Sequence, residues 1–65
     1  MEIVVNGQTT AGNFTTAQQL LEARGLDPRL VVVELNGKIL PAADFASHPL
    51  KDGDTVEIVQ FVAGG

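Results

Sequence analysis

Apolar and polar residues alternate along this chain in two rhythms, and turn residues mark each change from one to the other. Ile3, Val4 and Val5 are β-branched and apolar, and they run into Asn6-Gly7, the dipeptide best suited to the positive φ angles of a type I′ hairpin turn. A strand over Glu2 to Val5 and a return strand from Gln8 to about Gly12 are therefore predicted. From Ala17 to Arg24 the period changes. Ala17, Leu20 and Leu21 follow the i, i+3, i+4 spacing of one buried helical stripe. Thr15 or Thr16 caps this helix, since Gln18 and Gln19 stand three residues beyond them in capping-box register, and the spacing leaves both open. Gly25 ends the helix in the left-handed C′ conformation, Leu26 packs back on Leu21 as a Schellman motif requires, and Asp27-Pro28 stops it.

The second half returns to the strand rhythm. Leu30 to Leu35 reads as a strand, apolar on both faces apart from Glu34, and Asn36-Gly37 repeats the first turn's chemistry before Ile39 and Leu40 return briefly. Pro41 to Pro49 suits a surface loop or a single helical turn, anchored in the core by Phe45 and Leu50. Asp52-Gly53 makes a third turn. Thr55 to Phe61 is the last strand, with Val56, Ile58 and Gln60 on one face and Glu57, Val59 and Phe61 on the other; Val56 and Ile58 are assigned to the core. The order strand, strand, helix, strand, strand, strand predicts an α+β domain, with one main helix packed across one face of a mixed four- to five-stranded sheet.

Size narrows the possible functions. The 65 residues make one domain, 1–65, and a chain of this length buries only about 60% of its unfolded surface, which leaves no room for an enclosed active site. Cysteine is absent, so disulfides, thiolate metal sites and thiol nucleophiles are excluded together. Eight carboxylates against four basic side chains give a net charge of −4, which opposes binding to a phosphate backbone and favours partners with positive surfaces. Nucleic acid is not expected as a partner. Hydrophobic residues at 45% and charged residues at 18% supply enough apolar mass for a folded core. Met1-Glu2-Ile3-Val4-Val5-Asn6 has neither a basic start nor an apolar run long enough for a signal peptide or a membrane span, so a cytoplasmic location away from membranes is expected.

Few side chains offer chemistry. His48, lone and followed by Pro49, reads as a solvated loop histidine, and no second ligand type clusters near it. Asp52 and Asp54 flank a turn glycine without the EF-hand ligand pattern and read as turn formers. No catalytic residue and no metal site is expected. The most plausible reactive group is the carboxylate that follows Gly64-Gly65 at the end of the chain.

Taken together, the Val5-Asn6-Gly7 hairpin, Leu35-Asn36-Gly37 with Ile39 and Pro41 after it, the run from Leu50 to Ile58 and the closing Val62-Ala63-Gly64-Gly65 resemble the ubiquitin-like β-grasp sulfur carriers, most closely the ThiS-like carriers of thiamine biosynthesis. The resemblance covers the whole chain. It implies that an ATP-using, E1-like adenylyltransferase adenylates the Gly65 carboxylate. A sulfur donor such as a cysteine desulfurase then supplies the sulfur of a thiocarboxylate, which donates it to thiazole synthase. The carrier itself would catalyse nothing and hold no cofactor, ATP being used by its partner.

The chemistry fits these residue types. A terminal carboxylate has a pKa near about 3.5 and is an anion that nucleophiles attack poorly, so it must be joined to a leaving group first. Glycine at the end allows the tail Val62, Ala63 and Gly64 to thread Gly65 into a partner's buried site, where any β-carbon would widen the tail and restrict its angles. A mobile arm from Val62 to Gly65 that orders on binding is expected, with its entropy cost offset by docking elsewhere. Val32, Glu34, Glu57, Val59 and Phe61 on the sheet face away from the helix form the candidate docking patch, its acidic members steering a basic partner. The same tail and fold also suit the small subunit of molybdopterin synthase, a ubiquitin-like protein modifier, or an interaction module with an inert tail.

Overall fold

A computed structural model of the chain describes residues 1–61. Five strands form one mixed sheet: β1 (Glu2–Val5), β2 (Gln8–Ala11), β3 (Val31–Leu35), β4 (Lys38–Leu40) and β5 (Thr55–Gln60). Their spatial order is β2-β1-β5-β3-β4, so the last strand lies at the centre. It runs parallel to β1, with Val5 opposite Val56, and antiparallel to β3, with Val32 opposite Val59. The α+β architecture with one helix across a five-stranded mixed sheet is the expected one.

Both hairpins close through the predicted type I′ chemistry. Asn6 and Gly7 have φ of 49° and 81°, and Asn36 and Gly37 have 52° and 84°. At Asp52-Gly53 only the glycine is positive, at 88°, and Asp54 N–H donates to the Lys51 carbonyl at 3.1 Å, as in a turn of type II.

The helix α1 (Ala17–Ala23) starts at Thr16, whose hydroxyl accepts from the Gln19 N–H at 3.3 Å. Thr15 has a different part: its N–H and hydroxyl both donate to the Gln19 side-chain oxygen, at 2.8 and 2.9 Å. The two threonines thus divide between them the functions of one capping box. At the other end Gly25 N–H bonds the Glu22 carbonyl and Leu26 N–H the Leu21 carbonyl, the paired bonds of a Schellman motif.

One difference follows Asp27. Leu30 does not begin β3; Pro28–Leu30 forms a 3-10 turn that Asp27 caps by accepting the Arg29 N–H at 2.9 Å. Proline is well placed there because its fixed φ suits the first position and its missing N–H costs nothing. The segment after Pro41 likewise winds into a single 3-10 turn, Ala42–Asp44.

All the deeply buried side chains lie on the helix side of the sheet. Ile3, Val5, Val33 and Val56 from the strands meet Ala17, Leu20 and Leu21 from α1, with Phe45 and Leu50 closing the side as expected. Ile58, assigned to this core, is half-buried against it. The 41–50 segment also completes the helix start, because Gln18 N–H donates to the Phe45 carbonyl at 2.9 Å, pairing a donor that has no partner within the helix. That segment is therefore committed to the core side and does not cover the opposite sheet face.

Candidate functional site

The centre of interest is β5, because the chain passes from it towards the Gly64-Gly65 end. Phe61 N–H donates to the Leu30 carbonyl at 2.8 Å, so the ladder with β3 extends one residue past the last strand position. This bond ties Phe61 to the sheet. Val62, Ala63, Gly64 and Gly65, to which the carrier and threading roles were assigned, lie outside the described residues.

On the face away from α1 the β3 and β5 registers bring the expected patch together. Val32 stands opposite Val59 and Glu34 opposite Glu57. Val59 and Phe61 are each 56% exposed, while Val32 and Glu34 are half-buried between their neighbours. Sequence alternation missed one member: Ile39, 69% exposed, is paired with Glu34 from the far side. Its place was legible, since a two-residue turn at Asn36-Gly37 fixes the β3–β4 register.

Two carboxylates meet on this face. Glu34 and Glu57 are directly opposed, a like-charge arrangement that is unfavourable in a sheet. Among the described residues the ion pair present is Arg29 with Asp27, at 2.8 Å, and it sits in the 3-10 turn before β3. There Arg29's side-chain hydrogen bonds, with its backbone N–H, hold the Asp27 carboxyl down at about 2, and the same contacts push the guanidinium further up. Neither group neutralises the Glu34–Glu57 pair.

The remaining candidates are structural. Asp52 accepts the Glu2 N–H at 2.7 Å, and Asp54 accepts the Lys51 N–H at 2.8 Å and the Asn36 side-chain amide at 3.0 Å. These carboxylates hold turns, as expected of them. His48 is exposed beside an open groove of about 540 Å³ lined by Leu35, Lys38, Leu40 and Asp44 among others. Among the described residues no cluster of three His, Cys, Asp or Glu is placed to hold a metal. No helix there is long and apolar enough to cross a membrane.

Residues missed in the sequence are the two turn asparagines, which the hairpin signal accounts for only as backbone. Each also uses its side-chain amide on β5. Asn6 Oδ1 accepts the Ile58 N–H at 2.7 Å and its Nδ2 donates to the Ile58 carbonyl at 3.3 Å. Asn36 Oδ1 accepts the Thr55 N–H at 2.9 Å. Nothing in a linear pattern separates a turn asparagine from one that also staples a strand 52 residues away.

Comparison with known proteins bears on this arrangement. Residues 2–65 match the model of the ThiS family. A sulfur carrier protein ThiS from Thermus thermophilus is 33% identical over 61 residues, which span 94% of this chain and 95% of that protein. A thiazole synthase from Paramagnetospirillum magneticum is 41% identical over 68 residues, covering all of this chain but 20% of that protein, so this chain spans about a fifth of that relative's length. The crystal structure of a thiamine biosynthesis protein, ThiS, from Geobacter metallireducens superimposes with a TM-score of 0.83 at 35% identity, over the full length of both chains.

Proposed function

This chain belongs to the ThiS family, and from that premise we propose that it is a sulfur carrier of thiamine biosynthesis whose Gly65 carboxylate is the working group. The observation that carries the reading is agreement with ThiS proteins along the whole domain, in sequence and in fold. The carrier is a co-substrate and supplies no catalytic group. An E1-like enzyme joins the Gly65 carboxylate to AMP from ATP with loss of pyrophosphate. A persulfide from a donor of the cysteine desulfurase type displaces AMP to leave an acyl disulfide, a thiol reductant cleaves this to the thiocarboxylate with release of a disulfide, and the thiocarboxylate passes its sulfur to a thiazole synthase. The similarity of this chain to part of a thiazole synthase supports that last partner.

Each step matches a feature of the molecule. Activation is required because a carboxylate anion repels nucleophiles, and splitting one hard displacement into two easier ones lowers the barrier. Val62, Ala63 and Gly64 thread Gly65 into the partner, and glycine at the last two positions leaves the end of the tail thin. Val32, Glu34, Glu57, Val59 and Phe61 dock the domain: the Val32–Val59 pair and Phe61 give apolar area, and the Glu34–Glu57 pair attracts a basic partner surface.

Intact-mass measurement after incubation with the E1-like enzyme, ATP and a sulfur donor tests the reading. The expected product carries sulfur in place of one oxygen, and deletion of Gly65 abolishes it. Larger conjugates would point instead to a protein modifier. Failure of the deletion to make a host depend on thiamine would remove the thiazole assignment, and loss of molybdenum-enzyme activity in its place would identify a molybdopterin carrier. Phe61→Asp is expected to slow adenylation; unchanged adenylation would remove the docking face.

A further inference from the structure

β5 is the central strand, yet its two edges are supported over different lengths. Its β3 edge is paired from Val56 to Gln60 and again at Phe61. On the β1 edge the parallel pairing covers only Thr55 and Val56, because β1 ends at Val5 and turns away through Asn6-Gly7. Backbone groups alternate between the edges. Phe61 N–H bonds Leu30 of the β3 side, and the Val56 carbonyl accepts Asn6 N–H on the β1 side, so Ile58 turns its N–H and carbonyl to the edge where β1 is already finished.

The Asn6 side chain fills that place. Its oxygen accepts from Ile58 N–H at 2.7 Å and its nitrogen donates to the Ile58 carbonyl at 3.3 Å, so one amide side chain supplies the donor and acceptor that a further β1 residue would have offered. It reaches them because Asn6 is held at φ 49° in the first turn position, where asparagine tolerates the left-handed conformation. Three residues after Ile58 comes Phe61, the last described residue before the tail.

We propose that Asn6 is a positioning residue for the carrier reaction: its side chain extends the β1–β5 ladder by one rung and holds the last residues of β5, from Ile58 to Phe61, in place ahead of the tail. This rests on the carrier reading above. Without the rung, the strand after Val56 is secured on one edge only, and the activating enzyme must order it on binding. Ordering at the binding step raises KM and leaves kcat alone, since the bound complex is unchanged.

Asn6→Gly is the direct variant, because glycine keeps the positive φ of a type I′ turn while removing the side chain that makes both bonds. Asn36→Gly is its control: that side chain staples the opposite edge at the other end of β5, through Thr55, so it shares the loss of stability without touching the exit. In hydrogen exchange, Asn6→Gly is expected to lower protection of the Ile58 amide by about 5- to 30-fold relative to Asn36→Gly, the worth of one or two hydrogen bonds. In adenylation assays with the E1-like enzyme, KM for the carrier is expected to rise by a factor in the same range for Asn6→Gly, with kcat unchanged and Asn36→Gly close to the parent. Asn6→Asp, which keeps the acceptor and loses the donor, is expected to lie between and serves if Asn6→Gly fails to fold. Unchanged Ile58 protection, or equal KM for the Asn6 and Asn36 variants, overturns the proposal. A parent chain that is never adenylated defeats the carrier reading instead, and Ile58 protection then still decides whether Asn6 holds the strand.

Discussion

Val56 and Val59 stand three residues apart on β5 and face opposite sides of the sheet, so truncating each to alanine separates stability from docking. Val56 is fully buried, with 0% of its surface accessible, and lies among the side chains between sheet and helix. Val56→Ala removes two carbons. At about 0.8 kcal/mol for each buried carbon this is about 1.6 kcal/mol of transfer free energy, and the cavity left behind brings the total to about 2–3 kcal/mol. A domain of this size has a total stability of roughly 3–10 kcal/mol, so the loss is a large share of it. The midpoint of thermal unfolding should fall by about 8–24 °C, at about 4–8 °C per kcal/mol. Val59, more than half exposed, should cost less than about 1 kcal/mol by the same arithmetic. Urea unfolding followed by circular dichroism, with equal slopes for both variants, gives the two numbers directly. Adenylation measured well below the Val56→Ala midpoint should be normal for that variant and slowed for Val59→Ala. Equal stability losses would refute the assignment of the two faces. A Val56→Ala protein that is folded but not adenylated would refute the division of labour between them.

Thr16→Ala should destabilise the domain by about 1 kcal/mol through loss of the cap, whereas Thr15→Ala should cost less because the Thr15 N–H keeps its bond to Gln19; chemical denaturation distinguishes them. Gly25→Ala should cost about 1 kcal/mol or more, since φ there is 68° although nothing crowds an added β-carbon; a smaller loss in the same assay would mean that the Schellman turn had rearranged. The Asp27 carboxyl is lowered from 3.8 to about 2 by its hydrogen bonds from Arg29. Because the folded value lies below the unfolded one, its contribution is complete above about 3.8 and disappears as pH falls through about 2. Asp27→Asn should therefore flatten that part of the acid unfolding profile, and identical profiles would remove the ion pair from the account.

The local rules were readable from residue types alone. Two Asn-Gly pairs, a glycine after Arg24 and a three-residue apolar stripe each specify a backbone conformation or a buried face through short-range sterics and periodicity, so they act wherever they occur. The Val32, Val59 and Phe61 face followed from strand alternation in the same way. The limits of Leu30 were less legible, because a short 3-10 turn and a strand start both accept an apolar residue after a proline.

Other features were settled by the tertiary structure. That the last strand is the central one, parallel to the first, comes from which edges meet, and a linear pattern carries no record of that. The side chains of Asn6 and Asn36 acquire their bonds to β5 only once this pairing exists. The opposed Glu34–Glu57 pair likewise gains significance only from the β3–β5 register, which sets charges from two separate strands side by side. Sequence determines what each segment can become because its preferences are local; the assembled sheet decides which backbone groups are left without partners, and so which side chains must supply them.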